Sequence, residues 1–137
     1  MTKYSKIIAS VIGVALIVFT GAAFAQSSGL TRTVVTKADV SVPNREAVVA
    51  RVEIAPGGES GWHTHSGDEI SYVTEGELTL MIAGQPARKV EAGEALVIPA
   101  GTVHNVKNEG TTPVKLIGVF VVEKGKPLAN PVSEPLK

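Results

Sequence analysis

The sequence lacks cysteine entirely and has only three histidines among its 137 residues. Disulfides, thiolate metal sites, iron–sulfur clusters and cysteine nucleophiles are therefore excluded. Neither charge is in excess, because 13 basic residues balance 13 acidic ones, and this argues against a nucleic-acid-binding surface. Strongly helical runs are scarce after the first 25 residues, whereas Val, Ile, Gly and Pro are frequent. This mixture predicts an all-β domain with many turns.

The first 25 residues have the three parts of a bacterial-type secretory signal peptide. Lys3 and Lys6 provide the positive start, residues 7–19 form the apolar run, and Ala23-Phe24-Ala25 is a small-x-small cleavage site. We therefore expect cleavage after Ala25 and export to the periplasm or the medium. The alternative is an uncleaved membrane anchor, but the apolar run is short for a membrane span.

After the signal peptide we expect one small closed barrel at residues 26–123 and a proline-rich tail at 124–137, extended and poorly ordered. The chain leaves no room for helical crossovers and shows no internal repeat, so a single barrel of antiparallel strands is predicted. Alternation and turn signals place the strands at 31–37, 46–54, 60–65, 69–75, 77–83, 88–91, 95–98, 103–107 and 114–122.

All three histidines lie in two stretches punctuated by glycine. The first stretch, residues 57–76, contains His63 and His65, followed by Glu69. Residues i and i+2 of a strand point to the same face, so both imidazoles can reach one point. The second stretch carries His104. We expect the fold to bring His104 next to His63, His65 and Glu69. All four residues would then hold one divalent transition metal per chain.

The donor set restricts the choice of metal. Imidazole nitrogen and carboxylate oxygen, without sulfur, disfavour Cu(I) and structural zinc. They suit Fe, Mn, Ni, Zn and Cu alike, and among these we favour Fe or Mn and leave Zn, Ni and Cu open. Four protein ligands leave one or two positions free on a five- or six-coordinate ion, as a catalytic or ligand-binding site requires. The alternative is that the histidines are ordinary polar residues on half-buried strands, but their confinement to two ordered motifs favours the metal site.

Both stretches match the motifs of a known family. The pattern G-x5-H-x-H-x3-E-x6-G is filled by Gly57, His63, His65, Glu69 and Gly76. The pattern G-x5-P-x-G-x2-H-x3-N is filled by Gly93, Pro99, Gly101, His104 and Asn108. The chain therefore resembles a small single-domain cupin. The resemblance implies a double-stranded β-helix, or jelly roll, with a metal held by the three histidines and the glutamate. Cupins often dimerise through edge strands, so a homodimer is expected.

The lining of the pocket follows from the strand period. We expect Ser71 and Val73 to face inward with Glu69, and Val106 to share the face of His104. Ile70 and Tyr72 should face another layer. On the next strand either Leu78, Leu80 and Ile82 or Thr79 and Met81 point inward. Most of these residues are small or apolar, so the pocket is expected to be mainly hydrophobic, with the metal as its chief polar anchor.

Few other residues near the motifs suggest chemistry. Trp62 should face away from His63, as a core or interface residue. Arg51 and Arg88 are candidates for binding a carboxylate, although exposed arginines are common. In the glycine-rich motifs, Gly76 is expected at a positive-φ hairpin position and Asn108 to satisfy backbone groups in a turn.

Two functions fit these expectations. The first is a metal-dependent, dioxygenase-like enzyme acting on a small oxygenated organic compound, in which Glu69 is also a candidate proton acceptor. No separate acid or base is evident, because Glu53, Glu59, Glu75 and Glu77 are expected to be solvated. The second is a non-catalytic module that uses its metal to bind or sense a small ligand. Both predict a small-molecule partner, no nucleic acid, and no membrane contact after signal cleavage.

Overall fold

The computed structural model describes residues 28–136, so the predicted signal peptide and its cleavage site lie outside the described residues. This part of the chain contains ten strands and no helix, and thus no helix that could span a membrane. The strands are β1 (Ser28–Asp39), β2 (Arg45–Glu59), β3 (His63–Thr64), β4 (Asp68–Glu75), β5 (Glu77–Ile82), β6 (Arg88–Glu91), β7 (Ala95–Ile98), β8 (His104–Lys107), β9 (Val114–Glu123) and β10 (Asn130–Pro131).

The strands form two faces of a nearly closed antiparallel barrel. One face has the order β1-β2-β9-β4-β7, and the other has the order β10-β3-β8-β5-β6. The two faces join at the end of β2, where Glu59 pairs with Lys107 of β8. This arrangement confirms the all-β jelly-roll prediction.

Alternating side chains fill the barrel. Along β2, the residues Val48, Ala50, Val52 and Ile54 are buried, and the residues between them are more exposed. The interior contains a large apolar cluster and a smaller one made of Val48, Ala50, Phe120 and Val122. Leu78 and Leu80 belong to the large cluster, so the leucine face of β5 is the one that points inward.

Side chains of strand β4 alternate between the barrel interior and the outer surface. Ser71 and Val73 are fully buried beside Glu69, as predicted. The prediction that Ile70 and Tyr72 face another layer is wrong, because these side chains are 46% and 50% exposed on the outside of the barrel. They lie on the face of β4 opposite to Glu69, where a single-layered wall meets solvent.

Several segments differ from the expected boundaries: the strand predicted at 31–37 spans Ser28–Asp39, and the strand predicted at 60–65 is only His63–Thr64. The strand predicted at residues 46–54 continues to Glu59, with Gly57 at φ +74° and a shift in the partner register on β1 opposite this extension. The tail is not poorly ordered: Asn130 and Pro131 pair with β3, and the Val132 amide donates to the carbonyl of Trp62 at 2.9 Å. Leu128 packs on the smaller apolar cluster, so the tail has both hydrogen bonds and apolar contacts to hold it.

Two turn predictions are confirmed by the backbone. Gly76 has φ +80° between β4 and β5. The side-chain amide of Asn108 donates to the carbonyls of Ile54 and Thr112 at 2.9 and 2.8 Å, and its oxygen accepts from the Gly110 amide at 2.9 Å. Asn108 thereby satisfies backbone groups that the turn leaves without ladder partners.

Candidate metal centre

The two faces of the barrel bring the four predicted ligands together. His63 on β3 is the direct strand partner of His104 on β8, and His65 follows β3 immediately. Glu69 comes from β4 on the opposite face. All four side chains are buried, and one ligand atom from each lies within 4.8 Å of the others. The centre therefore bridges the two faces across the barrel interior.

The spacing of the donor atoms fits one shared cation. The Nε2 atoms of His63 and His65 are 3.2 Å apart, and Oε2 of Glu69 lies 3.0 Å from Nε2 of His65 and 3.3 Å from Nε2 of His104. Two ligands about 2.1 Å from an ion and at right angles to each other stand about 3.0 Å apart. These are the separations of adjacent ligands on a five- or six-coordinate ion, so the residues present fit a divalent metal.

The far side of each imidazole is held by a backbone carbonyl. Nδ1 of His63 donates to Gly61 at 2.8 Å, and Nδ1 of His104 donates to Thr102 at 2.9 Å. Nδ1 of His65 donates to the carbonyl of Leu128. In a neutral ring a donating Nδ1 leaves the lone pair on Nε2, which is the atom that points to the centre in each ring. A proton that Nε2 of His65 or His104 shares with Glu69 in the metal-free protein is released when a metal binds. The backbone therefore sets both the tautomer and the orientation that a metal requires.

The carboxylate of Glu69 is oriented in the same manner. The hydroxyl of Ser71 donates to Oε1 at 2.7 Å, which leaves Oε2 facing the histidines. Burial acts to raise the pKa of Glu69, but the imidazoles of His104 and His65 and the Ser71 hydroxyl outweigh burial and hold the pKa well below its ordinary value. The group is therefore an anion at neutral pH.

The pKa of His63 is also lowered, and for an imidazole this favours the neutral form. Burial, followed by the neighbouring ring of His104, lowers the pKa of His63 to about 4. The imidazole is thus neutral at physiological pH. Together with the Glu69 anion, it presents the protonation states that metal binding needs.

A cavity adjoins the ligands. Its inner part, about 10 Å³, has room for one water molecule. An outer part of about 100 Å³ shares the residues Leu30, Arg32, Ser60 and His63 with it. Apolar side chains make up half of the inner lining, namely Leu30, Val52, Val106, Leu116 and Phe120. The prediction of an apolar pocket holds for these walls, but Arg32 adds a second polar anchor that was not expected.

The arginine at the cavity is not one of the predicted pair. Arg51 and Arg88 are exposed and do not line it, whereas Arg32 of β1 does. Arg32 stands two residues after Leu30, which packs against the larger core cluster. Strand alternation from Leu30 could therefore have predicted that Arg32 faces inward.

Two further residues differ from expectation. Trp62 is half-buried and lines the outer cavity beside His63, so it is not confined to the face away from that histidine. Glu59 is half-buried and accepts a hydrogen bond from the Asn105 amide at 2.7 Å, whereas Glu53, Glu75 and Glu77 are exposed as expected.

The Cupin domain family matches residues 50–122, more than half of the chain, and the chain therefore belongs to the cupins. It is similar to Nectarin-1 from Nicotiana langsdorffii x Nicotiana sanderae, with 37% identity over 97 residues, 64% of this chain and 42% of that protein. It is also similar to an oxalate-binding protein from Thermotoga maritima, with 29% identity over 80 residues, 58% of this chain and 65% of that protein. The chain spans less than two thirds of the length of either relative.

The architecture has solved counterparts. A cupin-like protein from Thermotoga maritima superimposes with a TM-score of 0.66 at 25% identity, covering 78% of this chain and 79% of that one. This likeness supports the jelly-roll assignment across the barrel.

Proposed function

We propose that this cupin is an exported, metal-dependent enzyme of the dioxygenase type that acts on a small oxygenated organic compound. The observation that carries the proposal is the convergence of three Nε2 atoms and one carboxylate oxygen within 4.8 Å at the edge of a cavity. A closed structural site surrounds its ion with protein ligands, whereas donors about 3 Å apart on one side of an ion leave positions free for other molecules.

The roles of the residues follow from their contacts. His63, His65, His104 and Glu69 would hold the metal, which when bound supplies Lewis acidity and open coordination positions. The apolar side chains around the centre limit water and lower the local dielectric, which strengthens electrostatic interactions with a bound ligand.

Glu69 is better suited to binding the metal than to accepting a proton. Its pKa is held well below the ordinary value and Oε1 already accepts from Ser71, so the carboxylate is a weak base. A general base works best with a pKa near the operating pH. We therefore assign Glu69 the role of ligand.

A non-catalytic binding or sensing module is the second candidate function. Two observations favour it. The inner cavity holds only about 10 Å³, and within residues 28–136 its ionisable lining consists of Arg32 and three of the four candidate ligands. No separate acid or base is thus available there to move a proton during turnover.

Metal analysis and oxygen uptake discriminate between the two functions. The mature protein is purified without an affinity tag or chelator, its metal content is measured, and oxygen consumption is followed with a panel of small phenols, diketones and carboxylic acids. A redox metal with substrate-dependent uptake supports the enzyme, and bound metal without uptake supports the binding module. Failure to bind any divalent metal after reconstitution would overturn both.

Export and dimerisation are part of the proposal. Sequencing the N-terminus of protein recovered outside the cytoplasm should begin at Gln26, and a start at Met1 would contradict cleavage. For the dimer, Ile70 on β4 and its strand partner Val97 on β7 are 46% and 63% exposed, and β7 is the edge strand of this face. Sedimentation should give a dimer that Ile70→Asp dissociates.

A further inference from the structure

Arg32 occupies an unusual position beside the candidate metal centre. Its side chain lines the inner cavity together with His63, Glu69 and His104, and it also lines the outer cavity. Its Nε atom is buried and has no hydrogen-bond partner among residues 28–136. The carboxylate of Glu69 pairs with His65 and His104 instead. A buried guanidinium nitrogen therefore faces the space next to the metal ligands without a partner.

Aromatic packing holds this guanidinium. Cζ of Arg32 lies 5.5 Å from the ring centroid of Phe120, and the same ring contacts the imidazole of His65 at 4.9 Å between centroids. Such a cation–π contact positions the guanidinium but leaves its in-plane N–H donors free. Burial lowers the pKa of Arg32, with Glu69 opposing the shift, yet a guanidinium keeps its charge in proteins. A buried N–H without a hydrogen-bond partner is unfavourable unless a ligand accepts from it.

The missing partner can be deduced from the chemistry of the cavity. A guanidinium presents paired donors that match the two oxygens of a carboxylate. A metal with open positions accepts a further oxygen on the other side of the same space. The outer cavity of about 100 Å³ has largely apolar walls, which suit a small organic group for the rest of the molecule.

We infer that Arg32 anchors the carboxylate of a small organic acid, and that this acid bridges Arg32 and the metal centre. The inference narrows the substrate class of the proposed function and rests on that function for the metal. It also distinguishes acids from the neutral phenols and diketones, which cannot satisfy the charge of Arg32.

The only tryptophan of the chain provides a direct readout. Trp62 lines the outer cavity together with Arg32, so its fluorescence reports a ligand there without any turnover. Metal-loaded mature protein is titrated with glycolate, pyruvate and benzoate, and with the neutral amide of each. We expect at least one acid to bind, and to bind at least tenfold more tightly than its amide.

Three variants test the role of Arg32. Arg32→Met keeps the length of the side chain and removes the charge, and it should weaken binding of the acid at least tenfold and abolish the preference over the amide. Arg32→Lys should give an intermediate affinity, because the charge remains and the paired donors are lost. Arg51→Met, on the neighbouring strand β2, is the matched control and should bind as the parent does.

The outcomes separate this inference from the proposed function. Metal content is measured in every variant and should not change in Arg32→Met, since Arg32 is not a ligand. Unchanged affinity in Arg32→Met, or no binding of any acid by the parent, would overturn the inference. Absence of oxygen uptake while acid binding depends on Arg32 would instead remove the dioxygenase proposal and leave the carboxylate site in place.

Discussion

The C-terminal tail supplies part of the candidate metal centre, and shortening it tests how far that contribution reaches. The carbonyl of Leu128 accepts from Nδ1 of His65, and β10 pairs with β3, the strand that carries His63. A chain ending at Lys126 loses both contacts. The ring of His65 is then free to rotate and to adopt the other tautomer.

The expected loss of metal affinity follows from the effect of removing similar hydrogen bonds in other metal sites. Removing the hydrogen-bond partner of a metal-bound histidine typically weakens metal binding about 10- to 100-fold, or about 1.4 to 2.8 kcal/mol. We therefore expect the dissociation constant of the chain ending at Lys126 to rise by this factor. A competition titration against a chelating metal indicator measures it, and circular dichroism of the metal-free protein checks the fold.

A matched variant separates packing from orientation. Leu128→Ala keeps the backbone carbonyl but loses the apolar contact with the smaller core cluster. Because Leu128 is only half-buried, this should reduce the free energy of unfolding by about 1–2 kcal/mol and change the metal dissociation constant by less than about twofold. Equal metal affinities of the shortened and the parent chain would refute the orienting role, and so would an equal loss in Leu128→Ala.

Three further predictions concern the ligands and the fold. His104→Ala should reduce metal content sharply at equal protein concentration, measured by mass spectrometry, because it removes one of four protein ligands. The free energy of unfolding of the metal-free protein should fall by about 3 kcal/mol between pH 6.5 and 4, because the unfolded chain protonates His63 where the folded chain, with a pKa of about 4, does not. Gly67→Ala should lower the free energy of unfolding by about 3 kcal/mol, because its Cβ would lie 1.8 Å from the backbone oxygen of Val121.

Each of these predictions has a control variant or an outcome that would contradict it. His104→Ala retaining one metal per chain would contradict the four-ligand centre. The pH titration is repeated with His63→Gln, which should flatten the slope between pH 6.5 and 4.5, whereas below pH 4.5 protonation of Glu69 should continue to destabilise the fold. Gly110→Ala is the comparison for Gly67→Ala. Its Cβ would meet only the Asn108 side chain, at 3.3 Å, so thermal unfolding of that variant should stay close to the parent.

Much of the barrel could be predicted from local patterns. Alternation identified the strands, and glycine, proline and asparagine marked most of the turns, because these features depend on neighbouring residues in the chain. The predicted strand boundaries were wrong where contacts with distant parts of the chain extend a strand or create one. β2 continues past Ile54 because Glu59 pairs with both β1 and β8, and the Gly57 amide donates to the Asn108 carbonyl at 2.9 Å. The short β10 exists only because β3 lies beside it.

The sequence by itself determined which four side chains meet, since the spacing of His63, His65 and Glu69 and the second motif around His104 specify strands of one jelly roll. Only the tertiary structure decided what surrounds them. The Leu128 carbonyl lies 63 residues from His65, and Arg32 is brought beside His104 by the folding of β1 along β2. Contacts over such distances depend on how two sheets close around a common core, and no local periodicity encodes that closure.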